Sequence, residues 1–206
     1  MTNQSEKGGS RRDEITDTAT ALFVENGYSA TSMNKVAVAA GITKASLYHH
    51  FASKEDLFIA CVTCGYGPAL TRLRALAADD STPPAARMRE ALGILYDTII
   101  SSPVGRMSPL INEVSRAFPK VSQSFYDEYI GPQRDLIWQI AQSGIAAGDF
   151  REVDMLGFQH LVFGPVVLLS MSREMFVNLP DLDTHFPVPH LREQHIDAMM
   201  EYLARP

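Results

Sequence analysis

Apolar residues recur at helical spacing along nearly the whole chain, and two-residue alternation never persists long enough to make a strand. Ile15, Ala19, Leu22 and Phe23 fall on one face of a first helix, opened by Ser10 with Asp13 in a capping-box arrangement. Asn26-Gly27 predicts its end, with Gly27 able to take a left-handed cap. Thr31 or Ser32 is placed to cap a short second helix, whose Met33, Val36, Ala37 and Ala40 share a face. Gly41 closes it. Thr43 then caps a third short helix in which Leu47 and Phe51 point inward one turn apart.

Ser53 with Asp56 opens a fourth helix carrying Leu57, Phe58, Cys61 and Val62. Gly65-Tyr66-Gly67-Pro68 is expected to interrupt and bend it, because Pro68 lacks an N–H and crowds the preceding turn. Apolar spacing resumes at Leu70, Leu73 and Leu76 and stops at Asp79-Asp80. Pro83-Pro84 suit the start of a helix burying Met88, Leu92, Leu95, Tyr96 and Ile99. Pro103, Pro109, Pro119 and Pro132 punctuate shorter helices, including residues 110–118, and a longer helix over 133–147 ends at Gly148-Asp149. Residues 153–177 are apolar on so many sides that the pattern predicts burial all round, with a subunit interface covering the second side. Residues 178–189 read as a Pro- and Asp-rich loop and 190–203 as a final amphipathic helix. The fold class is all-α, without internal repeats.

The 206 residues, 46% hydrophobic and 20% charged, have an ordinary globular balance. No apolar run reads as long enough to span a bilayer. Residues 1–9 read as a disordered tail rather than a secretory signal, and two cysteines, Cys61 and Cys64, fit a reducing cytoplasm. A formal net charge of −6 argues against a protein that coats nucleic acid by bulk attraction. The local distribution changes that picture. Residues 27–54 hold Lys35, Lys44 and Lys54 and no acid, whereas Asp13, Glu14, Asp17 and Glu25 crowd the first helix.

Two short capped helices around a glycine turn have the layout of a helix-turn-helix, which reads DNA by laying its second helix in the major groove. Lys44 can donate to guanine or phosphate, Ser46 is short enough for close approach, and Ala45 leaves room for a thymine methyl. Tyr48 offers a ring to sugar or methyl and a hydroxyl to phosphate, with His49 and His50 at the helix end. Thr43, Ser32 and Lys54 are placed as phosphate clamps, beside helix N-termini with free N–H groups. The plainer reading is a small helical bundle with a surface tyrosine and two histidines. The conjunction of glycine turn, cap, inward Leu/Phe pair and acid-free stretch weighs against it.

The run Gly41-Ile42-Thr43-Lys44-Ala45-Ser46-Leu47-Tyr48-His49-His50-Phe51, followed by Ser53-Lys54-Glu55-Asp56-Leu57, resembles the signature of the TetR family of transcriptional regulators. Phe23, Gly27-Tyr28 and Thr31-Ser32 upstream fit it too, so the match covers about residues 10–60. The resemblance implies DNA contacts at Ser32, Asn34, Thr43, Lys44, Ala45, Ser46, Tyr48, His49, His50 and Lys54, with Lys35 in the same basic window. Asn34, Lys44 and Ala45 are variable in the family, which leaves the base sequence open. Residues 108–119 and 147–154 are more weakly similar to the AefR-like branch. The family resemblance implies a three-helix DNA-binding domain over 10–53 and a larger ligand-binding and dimerisation domain over 54–206. It also implies a homodimer through the last two helices, a palindromic double-stranded DNA operator and an unknown small-molecule inducer.

Other chemistry is thin. Cys61-x-x-Cys64 lies within a helix and lacks further zinc ligands, so both thiols read as core or interface fillers. His160, His185, His190 and His195 stand 25, 5 and 5 apart, which is not the pair of one helix face, and read as solvated or capping groups. Tyr96, Met107, Phe125, Trp138 and Phe163 are candidates for lining a ligand cavity, although such residues also simply fill cores. Glu113, Gln159 and His160 are polar groups that need a partner if buried, which a ligand could supply. No catalytic constellation, phosphate loop, metal site or cofactor site stands out. The expectation is a ligand-responsive repressor, with the bend at 65–68 as pivot. The alternatives are a helical ligand-binding protein without DNA binding and a metal-dependent enzyme or sensor using the C-terminal histidines.

Overall fold

A computed structural model describes residues 10–205; the tail expected over 1–9 lies outside the described residues. The helices are α1 (Arg11–Ala30), α2 (Met33–Ala39), α3 (Lys44–His50), α4 (Lys54–Ala78), α5 (Pro84–Tyr96), α6 (Ser108–Ala117), α7 (Pro119–Phe125), α8 (Gly131–Ala147), α9 (Met155–Met175), α10 (Leu182–His185) and α11 (Val188–Leu203). Single π-helical turns, Asp97–Ser101 and Tyr126–Ile130, extend α5 and precede α8. Among the described residues the only β-type pairing is one isolated bridge, Phe150 to Ala204.

The chain forms two compact units, Met1–Gly65 with Met107–Phe125, and Tyr66–Arg106 with Tyr126–Pro206. The division falls inside α4 rather than at 53/54. The first turns of α4 belong with α1 because their side chains pack there: the Phe58 ring meets Phe23 edge-on at 5.1 Å, and the Cys61 thiol reaches the Thr16 carbonyl. Residues 107–125 join the same unit through Phe118, 6.1 Å from the Tyr28 ring, and through Lys120, whose ammonium lies 2.8 Å from the Asp56 carboxylate.

Within the first unit most local signals act as expected. Ser10 and Asp13 close a reciprocal capping box on α1. Gly27 departs from the expected left-handed cap: at φ 78°, ψ 167°, a region open essentially to glycine alone, it kinks the chain inside α1, which runs on to Ala30. The Thr31 hydroxyl donates back to the Leu22 and Gly27 carbonyls, which leaves Ser32 to cap α2. Gly41 turns the chain at φ 64°, and Thr43 caps α3 by accepting the Ser46 N–H at 3.1 Å. Ile15, Phe23, Val36, Leu47, Phe51, Leu57 and Phe58 make the buried core. Cys61 belongs to it, and burial pushes its thiol pKa up to about 12. Cys64 is exposed, so only one of the two thiols is a core filler.

The second unit packs α5, α8, α9 and α11 with the later turns of α4. Leu73, Met88, Leu92, Leu95, Ile140, Phe158, Val162, Val166 and Leu203 are buried in its core. Arg87 is buried without a carboxylate: it donates to the Leu76 and Ala77 carbonyls at the end of α4, and to Ser143 at 2.9 Å. A cation suits that helix C-terminus. Gly144 is required by contact, since a Cβ there would stand 2.2 Å from the Phe150 ring.

Several expectations are corrected. The interruption at Gly65–Pro68 is absent, and α4 stays helical through Pro68, with Tyr66, Ala69, Leu70 and Leu73 all buried on its way. Packing of that apolar side outweighs the loss of one helical hydrogen bond. Within this chain α9 is not buried all round. Phe158, Val162, Val166 and Leu169 face inward, while Leu156, Val167, Leu168, Met171 and Met175 are exposed. By length and composition α9 is also apolar enough to cross a membrane, contrary to the sequence reading, because Gln159 and His160 interrupt its pattern without adding charge. Its inward face is nonetheless part of the unit core. The predicted loop at 178–189 contains the short α10.

Candidate nucleic-acid interface

The basic window folds into one exposed surface on a rigid support. Leu47 anchors α3 at 0% exposure, and Phe51 just beyond it is 2% exposed. Around those anchors the outward positions Lys44, Ala45, Tyr48 and His49 stand clear, with Ser46 and His50 half-buried. Tyr48 is 44% exposed despite its large ring, so α3 presents an aromatic group that the unit's own core does not absorb. The Lys44 ammonium lies 5.8 Å from the Tyr48 ring centroid, which groups charge and ring at one place. Ser32, Asn34 and Lys35 are exposed at the start of α2.

The expected phosphate clamps have more than one role. The Ser32 and Thr43 hydroxyls accept the Lys35 and Ser46 N–H groups, and each keeps its own O–H to donate outward. Lys35 donates to the Ala30 carbonyl at 2.9 Å. Lys54 is half-buried, with its ammonium 4.0 Å from the centre of the Tyr28 ring, and burial lowers its pKa against the pull of Glu55. Two arginines that the sequence reading passed over brace the surface. Arg11 donates to the Ala40 carbonyl at 2.8 Å, and the Arg12 guanidinium lies 4.3 Å from the Phe51 ring centre. Their position one and two residues after the Ser10 cap was the available signal.

The residues expected to line a ligand cavity divide between the units. Met107, Glu113 and Phe125 belong to the first, and Tyr96, Trp138, Gln159, His160 and Phe163 to the second. Glu113 and His160 are exposed rather than buried, so neither needs a ligand to satisfy it; the His160 ring also meets the Leu156 carbonyl. Gln159 keeps its side-chain nitrogen buried without a hydrogen-bond partner. Trp138 packs on Phe158 with 5.6 Å between ring centres. His195 is neither solvated nor capping. It is buried, with Nδ1 3.1 Å from the Tyr96 hydroxyl and Nε2 2.8 Å from the Leu161 carbonyl. The carbonyl can only accept, so Nε2 carries the proton and Nδ1 accepts from Tyr96. Burial lowers the His195 pKa.

A capped, acid-free short helix displayed on a two-helix support defines a helix-turn-helix DNA-binding protein. The family model described as bacterial regulatory proteins, tetR family, matches residues 15–61. The transcriptional repressor KstR2 of Rhodococcus jostii is 30% identical over 153 residues, covering 73% of this chain and 74% of that protein. The negative transcriptional regulator IcaR of Staphylococcus aureus is 43% identical over 53 residues, 26% of this chain and 28% of its own. The chain is similar in fold to FadR of Bacillus subtilis, solved in complex with stearoyl-CoA, with a TM-score of 0.75 at 18% identity over 93% of this chain and 98% of that one. The chain belongs to the TetR family of transcriptional regulators.

Proposed function

We propose that this protein is a ligand-responsive repressor, acting in the cytoplasm as a homodimer on a palindromic operator and released from it by a small-molecule inducer. The observation that carries the DNA reading is the exposed face of α3, with Lys44, Ala45, Tyr48 and His49 aimed away from a fully packed core and Ser46 half-buried beside them. Ser32, Asn34, Lys35, Thr43, His50 and Lys54 complete the contact set. Repression is supported by the repressor names of KstR2 and IcaR. An inducer held by the larger helical part is supported by the stearoyl-CoA bound to FadR. The exposed apolar face of α9, next to α11, supports pairing with a second copy. Two readers at fixed spacing then match two half-sites about one helical turn apart or a multiple of it.

With a net charge of −6, affinity rests on that paired fit and a few phosphate contacts more than on bulk attraction. An inducer acts by binding one of two states better than the other. The test is Tyr48→Ala in a gel-shift assay with DNA from upstream of the protein's own gene. Loss of the shift with the dimer intact on a sizing column is the expected result. An unchanged shift would remove α3 from the interface. No shift even with the unaltered protein would favour the ligand-binding reading without DNA.

A further inference from the structure

The second unit contains a polar trio that its apolar core does not explain. Tyr66 on α4, Tyr129 in the π-turn before α8, and Gln133 on α8 are each at most 1% exposed. The Tyr66 and Tyr129 rings stack with centroids 4.0 Å apart, and the Gln133 amide nitrogen donates to the Tyr129 hydroxyl. The Tyr66 hydroxyl donates to the Val104 carbonyl at 3.5 Å. The side-chain oxygen of Gln133 is buried with no hydrogen-bond partner.

An unpaired buried amide oxygen costs about 1–3 kcal/mol, and a leucine or methionine of similar size would avoid that cost. Tyr129 and Gln133 are four residues apart and so share one helix face, and the π-turn that carries Tyr129 leads directly into α8. Turns of this kind are frequent at functional sites. The chemistry of the trio is narrow: two aromatic faces, one acceptor that lacks a donor, and no ionised side chain among the three.

Resting on the inducer-binding reading above, we infer that the Gln133 oxygen receives the inner end of the inducer, and that this end is a neutral hydrogen-bond donor on an apolar body. A carboxylate fits poorly, because it brings a second acceptor and a charge that none of the three side chains compensates. An amide or alcohol supplies the missing donor. Entry requires the closed trio to open, so the ligand is expected to bind a less populated arrangement of the π-turn.

The test uses the full chain and two probes of equal length, decanamide and decanoate, titrated calorimetrically at neutral pH. Decanamide should bind about tenfold more tightly, the equivalent of one good hydrogen bond. Gln133→Leu and Gln133→Met should each remove that preference and leave decanoate binding unchanged, with the ligand-free unfolding temperature unchanged or raised. Equal or better binding of decanoate overturns the inference, as does binding of neither probe. A preference that survives in both variants overturns it too, and if both also unfold at lower temperature, Gln133 is structural. Operator binding by the same ligand-free preparation separates the two claims. If it persists while the probe preference fails, only the inducer assignment falls; if the unaltered protein never binds DNA, the repressor reading falls.

Discussion

In the reader, the hydroxyls of Ser32 and Thr43 stand at helix starts and each takes up a backbone N–H that would otherwise lack a partner. In the second unit, the Gln133 Oε1, the Gln159 Nε2 and the Arg87 Nε are buried with no partner. The surfaces contrast as well. The reader exposes short polar groups and one tyrosine, while α9 exposes Leu156, Leu168, Met171 and Met175. The contrast holds for the reader helices and not for the whole first unit, where the Ser115 Oγ is also buried with no partner. On the reading proposed above, the unpaired groups of the second unit are those left for a ligand.

Substitutions can break this contrast, and the largest effect should come from the reader's core. Phe58 is fully buried between Phe23 and Tyr28, with rings 5.1 Å from each. Phe58→Ala should cost about 3–5 kcal/mol and abolish operator binding with it, as read by denaturant unfolding and gel shift. Retained DNA binding would show that the reader does not depend on that core.

Next is the glycine that kinks the first helix. Gly27→Ala has open space for its methyl but the wrong backbone, and should lose about 1–3 kcal/mol. If it is neutral, the conformation at Gly27 is not required. Smaller again is the cap of α3. Thr43→Ala should lose about 1 kcal/mol. Thr43→Ser should restore stability, because the capping oxygen returns; failure to do so would point to the methyl group instead.

The smallest effect is in the second unit and depends on pH. Burial holds the His195 pKa below its ordinary 6.5. The unfolded chain therefore binds more protons than the folded one as pH falls below about 6.5, and stability drops there. Above that value the term vanishes, since both states hold His195 neutral. Denaturant midpoints at pH 8 and pH 5.5 should differ less in His195→Gln, which keeps a donor for Leu161 and an acceptor for Tyr96 but does not titrate. An identical difference in both proteins would assign the acid sensitivity to other groups.

The reader was legible because its signals are local. A cap, a glycine with positive φ and an inward pair such as Leu47 and Phe51 lie within a few residues of what they determine. The second unit was legible only in outline. Its helix positions follow from apolar spacing, but Tyr129 and Gln133 drew no attention. Their significance depends on Tyr66, more than sixty residues away in the chain, and on burial that spacing does not reveal. His195 read as a surface group because its partners, Tyr96 and Leu161, lie on two other helices.

Sequence by itself determined the helical class, the glycine turns at Gly27 and Gly41, the caps at Ser32 and Thr43, and the acid-free window with Lys44 and Tyr48. Those features depend on backbone conformation and near-neighbour hydrogen bonds, which a short stretch of chain specifies. Tertiary structure alone decided that α4 runs through Pro68, that α9 buries only one of its two apolar sides, and that the Gln133 oxygen is sealed without a donor. Each is settled by which distant surfaces meet, where packing across the fold outweighs the preference of any single residue.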